Sequence, residues 1–185
     1  MTTQTTNTNK NDNYYTQFYT YNNLKPYIYK AGEKKRVYDP FQLGAKLSKI
    51  TYYKRAIFEG WICDKGEEDF FENLNVLEYY DLIITNPPFS LKKEIMEKLI
   101  ELDKPFIMVL NSTVLSSKWF HSLTKDNQNN FQITFPSGKI SYELYNDEEQ
   151  RIRDFEPKFY TVYISYKVEE LKGVQFIENP TTNEE

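Results

Sequence analysis

The sequence predicts one α/β domain in which parallel strands alternate with helices and antiparallel strands close the sheet. Three observations lead there. Residues 81–110 read as strand, helix and strand in succession. Shorter strand-like segments before them keep the same alternation, as in doubly wound sheets. After residue 130 the strand-like segments are separated by turns instead of helices. A chain of 185 residues suffices for one core and is short for two. Residues 14–178 therefore read as a single domain between polar tails, 1–13 and 179–185, which are expected to be disordered.

The elements follow in order. The Tyr-rich segment 14–29 carries apolar positions at Phe18, Leu24 and Ile28 and reads as one short helix or an irregular stretch over the sheet edge. Val37 and Tyr38 mark a strand over 36–38, stopped by Asp39-Pro40-Phe41. Gly44 then opens a segment with helical spacing at Leu47, Ile50, Tyr53 and Ile57, and Gly60 ends it. Trp61-Ile62-Cys63 is a buried-type strand closed by Asp64, and Glu67-Glu68-Asp69 runs into Phe70-Phe71 before a polar turn.

The strand Asp81-Leu82-Ile83-Ile84-Thr85 is halted by Asn86-Pro87-Pro88-Phe89, and Ser90 is placed to cap a helix. That helix carries Leu91, Ile95, Met96, Leu99 and Ile100 on one stripe, as when one face packs on a sheet. The unbroken apolar run 106–110 suits a parallel strand covered on both faces. In the last third, 131–135, 140–145 and 159–168 read as antiparallel strands, with Pro136-Ser137-Gly138 as the turn between the first two. The charged stretch 146–158 reads as an exposed loop or short helix.

Composition narrows the function classes. Twenty-three basic against 27 acidic residues give a net charge of −4, whereas a protein that grips many phosphates unaided shows a basic excess. Local basic clusters remain, at Lys34-Lys35-Arg36 and Lys92-Lys93. No apolar run is long enough to cross a bilayer. The polar N-terminus does not read as a signal peptide, and the single cysteine, Cys63, rules out an internal disulfide. A cytoplasmic protein with no membrane partner is expected. His121, the only histidine, has no partner at metal-ligand spacing, so no metal is expected. Cys63 reads as a packed thiol.

The chemistry is concentrated in Asn86-Pro87-Pro88-Phe89, which follows a buried strand where an α/β sheet presents groups to ligands. Two prolines hold the backbone extended and remove two amide donors, so the Asn86 and Pro87 carbonyls can face a substrate. An aromatic amino group is a poor nucleophile because its lone pair is delocalised into the ring. Acceptors on its hydrogens, supplied by the Asn86 side chain and the Pro87 carbonyl, favour a pyramidal nitrogen aimed at an electrophilic methyl group. Phe89 offers a flat face on which an extruded base can stack. Read blandly, the same four residues end a strand and cap a helix.

With Asp39-Pro40-Phe41 and Gly44 added, the sequence resembles the phage- and virus-type DNA N6-adenine methyltransferases. Their catalytic motif is Asp or Asn followed by Pro-Pro and an aromatic residue. The resemblance implies a Rossmann-like S-adenosylmethionine-dependent methyltransferase fold, with parallel strands at 36–38, 61–63, 81–85 and 106–110 and antiparallel C-terminal strands. It implies catalytic roles for Asn86, Pro87, Pro88 and Phe89. It puts Asp39, Pro40, Phe41 and Gly44 around the methionine end of S-adenosylmethionine, Asp64 on the ribose, and Asp69 with Phe70 at the cofactor adenine. Thr16 stands where the family carries a Thr-Pro pair, with Gln17 in place of the proline. Lys92, Lys93 and Lys139 are candidate nucleic-acid contacts, the first two helped by exposed amides at a helix start.

DNA is the expected substrate ahead of RNA, and since the chain has room for a target-recognition part only in 131–158, sequence specificity is expected to be low, lodged in that region, or supplied by a second copy or a partner subunit. Two other readings fit the residues. Protein glutamine methyltransferases also use Asn-Pro-Pro and an aromatic residue, although they normally carry a Gly-rich first motif. A silent relative, binding nucleic acid or a partner without catalysis, would keep the fold and lose the reaction.

Overall fold

The computed structural model describes residues 14–16, 18–30, 32–41, 60–66, 69–145, 151–155, 157–171 and 173–178. Both expected tails and the helix expected after Gly44 lie outside the described residues. The chain begins with β1 (Tyr14–Thr16), α1 (Phe18–Asn22) and α2 (Lys25–Ile28), followed by β2 (Arg36–Asp39) and β3 (Ile62–Lys65). A 3-10 turn (Leu74–Tyr79) leads to β4 (Leu82–Thr85), α3 (Lys92–Glu101) and β5 (Phe106–Asn111). A second 3-10 turn (Ser112–Ser116) and α4 (Lys118–Thr124) precede β6 (Phe131–Pro136), β7 (Tyr142–Tyr145) and β8 (Arg151–Phe155). The last strands are β9 (Thr161–Tyr166) and β10 (Val174–Ile177).

Seven strands form one sheet in the order β3-β2-β4-β5-β9-β6-β10, and β1, β7 and β8 form a second. In the large sheet β3, β2, β4 and β5 are parallel, β9 runs antiparallel between β5 and β6, and β10 is parallel to β6. This is a mixed α/β architecture with the parallel half where the sequence puts it. Leu82, Ile83 and Ile84 of β4 and all of Phe106 to Leu110 of β5 are buried, as a strand covered on both faces requires. One face packs against Ile95, Met96 and Leu99 of α3, whose stripe appears as expected. The other packs against Tyr21, Leu24, Ile28 and Trp61. Each such aliphatic side chain contributes roughly 1.5–3 kcal/mol by leaving water.

Five expectations are corrected. Asp64 lies inside β3, which runs on to Lys65. Leu91, not Ser90, stands at the start of α3, and it makes no side-chain cap. Segment 14–29 is not a single helix: its first residues form β1, paired with β7. Residues 131–136 and 142–145 form no hairpin, because β6 pairs with β9 and β10 whereas β7 leaves for the small sheet. Gly138 turns the chain there with φ of 71°, and Ile140 and Tyr142 are buried against the face that holds Tyr21. Within 146–158, residues 151–155 form β8, paired with β7. Strand β10 was not foreseen.

Candidate active site at the carboxyl ends of the strands

Strands β2 and β4 are direct neighbours, with Tyr38 opposite Ile83, so their carboxyl ends bring Asp39 and Asn86 to one edge. Asp39 is 3% exposed. Its carboxylate accepts from the Thr85 hydroxyl at 2.5 Å and from the Phe41 amide at 3.3 Å, which ties the Asp-Pro-Phe turn to the residue just before Asn86. The Asp39 carbonyl accepts from the Gly66 amide at 2.8 Å. Gly66 presses so closely on that turn that a Cβ there would lie 2.3 Å from the Pro40 carbonyl oxygen.

The two candidate cofactor motifs that carry a phenylalanine meet at this edge. Phe41 and Phe70 are 5.2 Å apart between ring centroids, and Phe70 is buried. The Asp69 carboxylate accepts from the Phe71 amide at 2.9 Å, and its carbonyl from the Asn73 side chain at 3.1 Å, so Asp69 shapes the turn that presents Phe70. Thr16, also buried, lies beside the Tyr21 hydroxyl. Burial, then the Asp39 charge, pushes that phenol well above its ordinary pKa. Thr16 and Asp39 thus share one corner.

Asp64 sits beside Tyr38 across the β2/β3 ladder. The Tyr80 hydroxyl donates to Asp64 Oδ2 at 3.0 Å. Tyr80 stacks on Tyr38 at 4.7 Å, and the Arg36 guanidinium lies over the Tyr80 ring at 5.2 Å. Burial, helped by the bond to Asp64, pushes the Tyr80 pKa up to about 12.

Pro87 is buried, whereas Asn86, Pro88 and Phe89 are half-buried. The Pro88 carbonyl accepts from the Leu91 amide at 3.0 Å and the Phe89 carbonyl from Lys92 Nζ at 2.6 Å, which fixes the turn into α3. Lys92 thus helps hold the loop. Phe89 meets Phe159 edge-on at 5.8 Å, and Phe159 packs on Tyr142 at 6.2 Å.

The remaining candidates lie further out. Lys93 is exposed and 3.7 Å from Glu97, and Lys139 lies over the Tyr160 ring at 5.9 Å. Gly44 is outside the described residues. Cys63 is buried, and His121 is exposed, its Nε2 2.7 Å from the Leu115 carbonyl oxygen. Among the described residues no group of three or more His, Cys, Asp or Glu is placed to hold a metal. Sequence reasoning missed Thr85, Gly66, Tyr80 and Phe159. Thr85 had a signal, as the one polar residue ending an apolar strand; the others touch the site through contacts that no local pattern encodes.

The family model and the sequence relatives both point to methyltransferases. A family model described as "Adenine-specific methyltransferase EcoRI" matches residues 45–175, a range that holds Asp64, Asp69 and Asn86 to Phe89 and begins just after Asp39 and Gly44. The chain is 32% identical over 92 residues to the Type II methyltransferase M.EcoRI of Escherichia coli, covering 46% of this chain and 28% of that protein. It is 33% identical over 89 residues to the Type II methyltransferase M.MgeORF184P of Mycoplasma genitalium, covering 44% of this chain and 28% of that one. The chain thus spans under a third of these relatives' length. Among solved structures, the crystal structure of A. aeolicus Argonaute aligns with 73% of this chain and 27% of its own at 12% identity and a TM-score of 0.30, too low to imply a shared fold.

Proposed function

The chain belongs to the EcoRI adenine-specific methyltransferase family, and we propose that it transfers a methyl group from S-adenosylmethionine to the N6 amino group of adenine in DNA. One observation carries this reading: Asn86-Pro87-Pro88-Phe89 stands at the end of β4, hydrogen-bonded through Thr85 to the Asp39 carboxylate at the end of β2. A strand order of four parallel strands followed by one antiparallel strand supports a Rossmann-like methyltransferase fold.

The donor set fits the cofactor chemically. Carboxylates at Asp39 and Asp64 suit an ammonium group and a ribose diol, since a carboxylate is a charged acceptor for both. Phe41 and Phe70 offer an aromatic wall for a purine. When bound, S-adenosylmethionine supplies an electrophilic methyl on a sulfonium whose departure needs neither acid nor metal. The chain's own groups orient the acceptor. The Asn86 side-chain oxygen and the Pro87 carbonyl accept from the amino hydrogens, and their attraction grows as N6 becomes pyramidal. Phe89 stacks on the extruded base, held upright by Phe159. Lys93 and Lys139 are the candidates for phosphate contacts, and target recognition is left to residues 131–158, a second copy or a partner. Such a substrate goes with an intracellular location; among the described residues no helix is long and apolar enough to cross a membrane.

The test is methyl transfer from radiolabelled S-adenosylmethionine to duplex DNA, single-stranded DNA, RNA and protein extract in parallel. Digestion to nucleosides should place the label in N6-methyldeoxyadenosine. Label confined to protein glutamine, or to no nucleic acid at all, would contradict the proposal.

A further inference from the structure

Antiparallel β9 starts where β5 ends, with Thr161 opposite Asn111, so residues 159–160 lie at the same sheet edge as Asn86. Phe159 turns inward, wedged between Phe89 and Tyr142. Tyr160 turns outward and is 59% exposed. Its backbone is nevertheless fixed: the Tyr160 carbonyl accepts from the Ser112 amide at 2.8 Å, and the next residue, Thr161, shares a hydrogen bond of 3.0 Å with the Tyr142 hydroxyl. The Lys139 ammonium lies over the Tyr160 ring at 5.9 Å, within cation–π range. Other strongly exposed aromatics stand elsewhere: Tyr79 at the amino end of β4 and Phe176 on the edge strand β10.

A rigidly mounted, exposed ring with a cation on its face, one residue from the wall of the base site, has the chemistry of a single-strand or distorted-duplex contact. We propose that Tyr160 and Lys139 form the surface that takes the nucleic acid beside the target base, Tyr160 stacking on a flanking base and Lys139 facing its phosphate. This rests on the adenine-methyltransferase reading above and extends it to a residue outside the catalytic loop. Stacking is tolerant of base identity, so the pair contributes affinity and leaves sequence choice to other residues.

The experiment uses the full chain with Tyr160→Ala, Tyr160→Phe and Lys139→Gln, reading duplex DNA affinity by fluorescence anisotropy, steady-state kinetics, and S-adenosylmethionine affinity by calorimetry. Tyr160→Ala should weaken DNA binding and raise KM for DNA roughly 5- to 100-fold, and Tyr160→Phe should restore both. Lys139→Gln should lower the slope of log affinity against log salt by about one. Cofactor affinity should not move in any of the three. Wild-type methylation of duplex DNA with unchanged DNA affinity and KM in Tyr160→Ala would overturn the assignment alone. A wild-type chain that neither binds nor methylates any nucleic acid would overturn this and the reading beneath it.

Discussion

The half of the large sheet built from β2, β3, β4 and β5 differs from the half built from β9, β6 and β10 in how its strands find their neighbours. In the first, four parallel strands lie together, each pair of sequence neighbours separated by a connecting segment. In the second, β6 skips the next two strands to pair with β9 and β10, while β7 and β8 join β1 in another sheet. Parallel strands buried on both faces must be continuously apolar, so residues such as 106–110 announce both their structure and their place. Strand β6 alternates half-buried and buried residues, a pattern that specifies a strand without specifying its partner. The first half also carries most of the catalytic and cofactor candidates, Thr16 of β1 excepted, and its geometry depends on contacts between strand ends, whereas Phe159, Tyr160 and Lys139 lie at the rim beside the second.

That contrast can be broken most severely at Gly66. If the site depends on close backbone packing of the β2 and β3 ends, Gly66→Ala must displace the Asp39–Pro40–Phe41 turn, because its Cβ would sit 2.3 Å from a backbone oxygen. A loss of roughly 1–3 kcal/mol is expected, seen as a fall in Tm together with weaker cofactor binding. An unchanged melt and unchanged binding would show that the turn yields freely. Of similar size but confined to the cofactor is Asp64→Ala, which should weaken S-adenosylmethionine binding by about 1.5–3 kcal/mol through lost hydrogen bonds to a charged acceptor. Equal affinities by calorimetry would remove Asp64 from the cofactor site.

The smallest effect concerns Tyr80. Its folded pKa of about 12 exceeds the roughly 10 of an unfolded tyrosine, so the folded state holds that proton more tightly. The resulting stabilisation is complete below about pH 10 and is lost as pH rises from about 10 towards 12. Wild-type stability in urea should therefore fall more steeply over that window than that of Tyr80→Phe. Parallel declines would mean that burial and the bond to Asp64 together do not raise the Tyr80 pKa in solution.

The sequence made the first half legible because its signals are local: Pro-Pro after an apolar strand, Asp-Pro-Phe after another, a helical stripe at Ile95, Met96 and Leu99. Asp39 and Asn86 could be placed at one edge from strand alternation alone. What stayed hidden was set by distance. The tripeptide Pro136-Ser137-Gly138 has turn chemistry whether the chain folds back or departs, and burial of Ile140 and Tyr142 against Tyr21, more than a hundred residues earlier, decides for departure. Phe159 likewise reaches Phe89 only through the pairing of β9 with β5. Tyr80 reaches Asp64 by crossing from the start of one strand to another, which no period of two or 3.6 records.

The central claim, that Asn86 acts on the reacting amino group, is tested most directly by turnover and cofactor affinity in Asn86→Ala on duplex DNA. Loss of an acceptor that matters most in the transition state should lower kcat about 10²- to 10³-fold, with S-adenosylmethionine binding as tight as in the wild type. Near wild-type turnover would contradict the account, leaving Asn86-Pro87-Pro88-Phe89 as the end of a strand and nothing more.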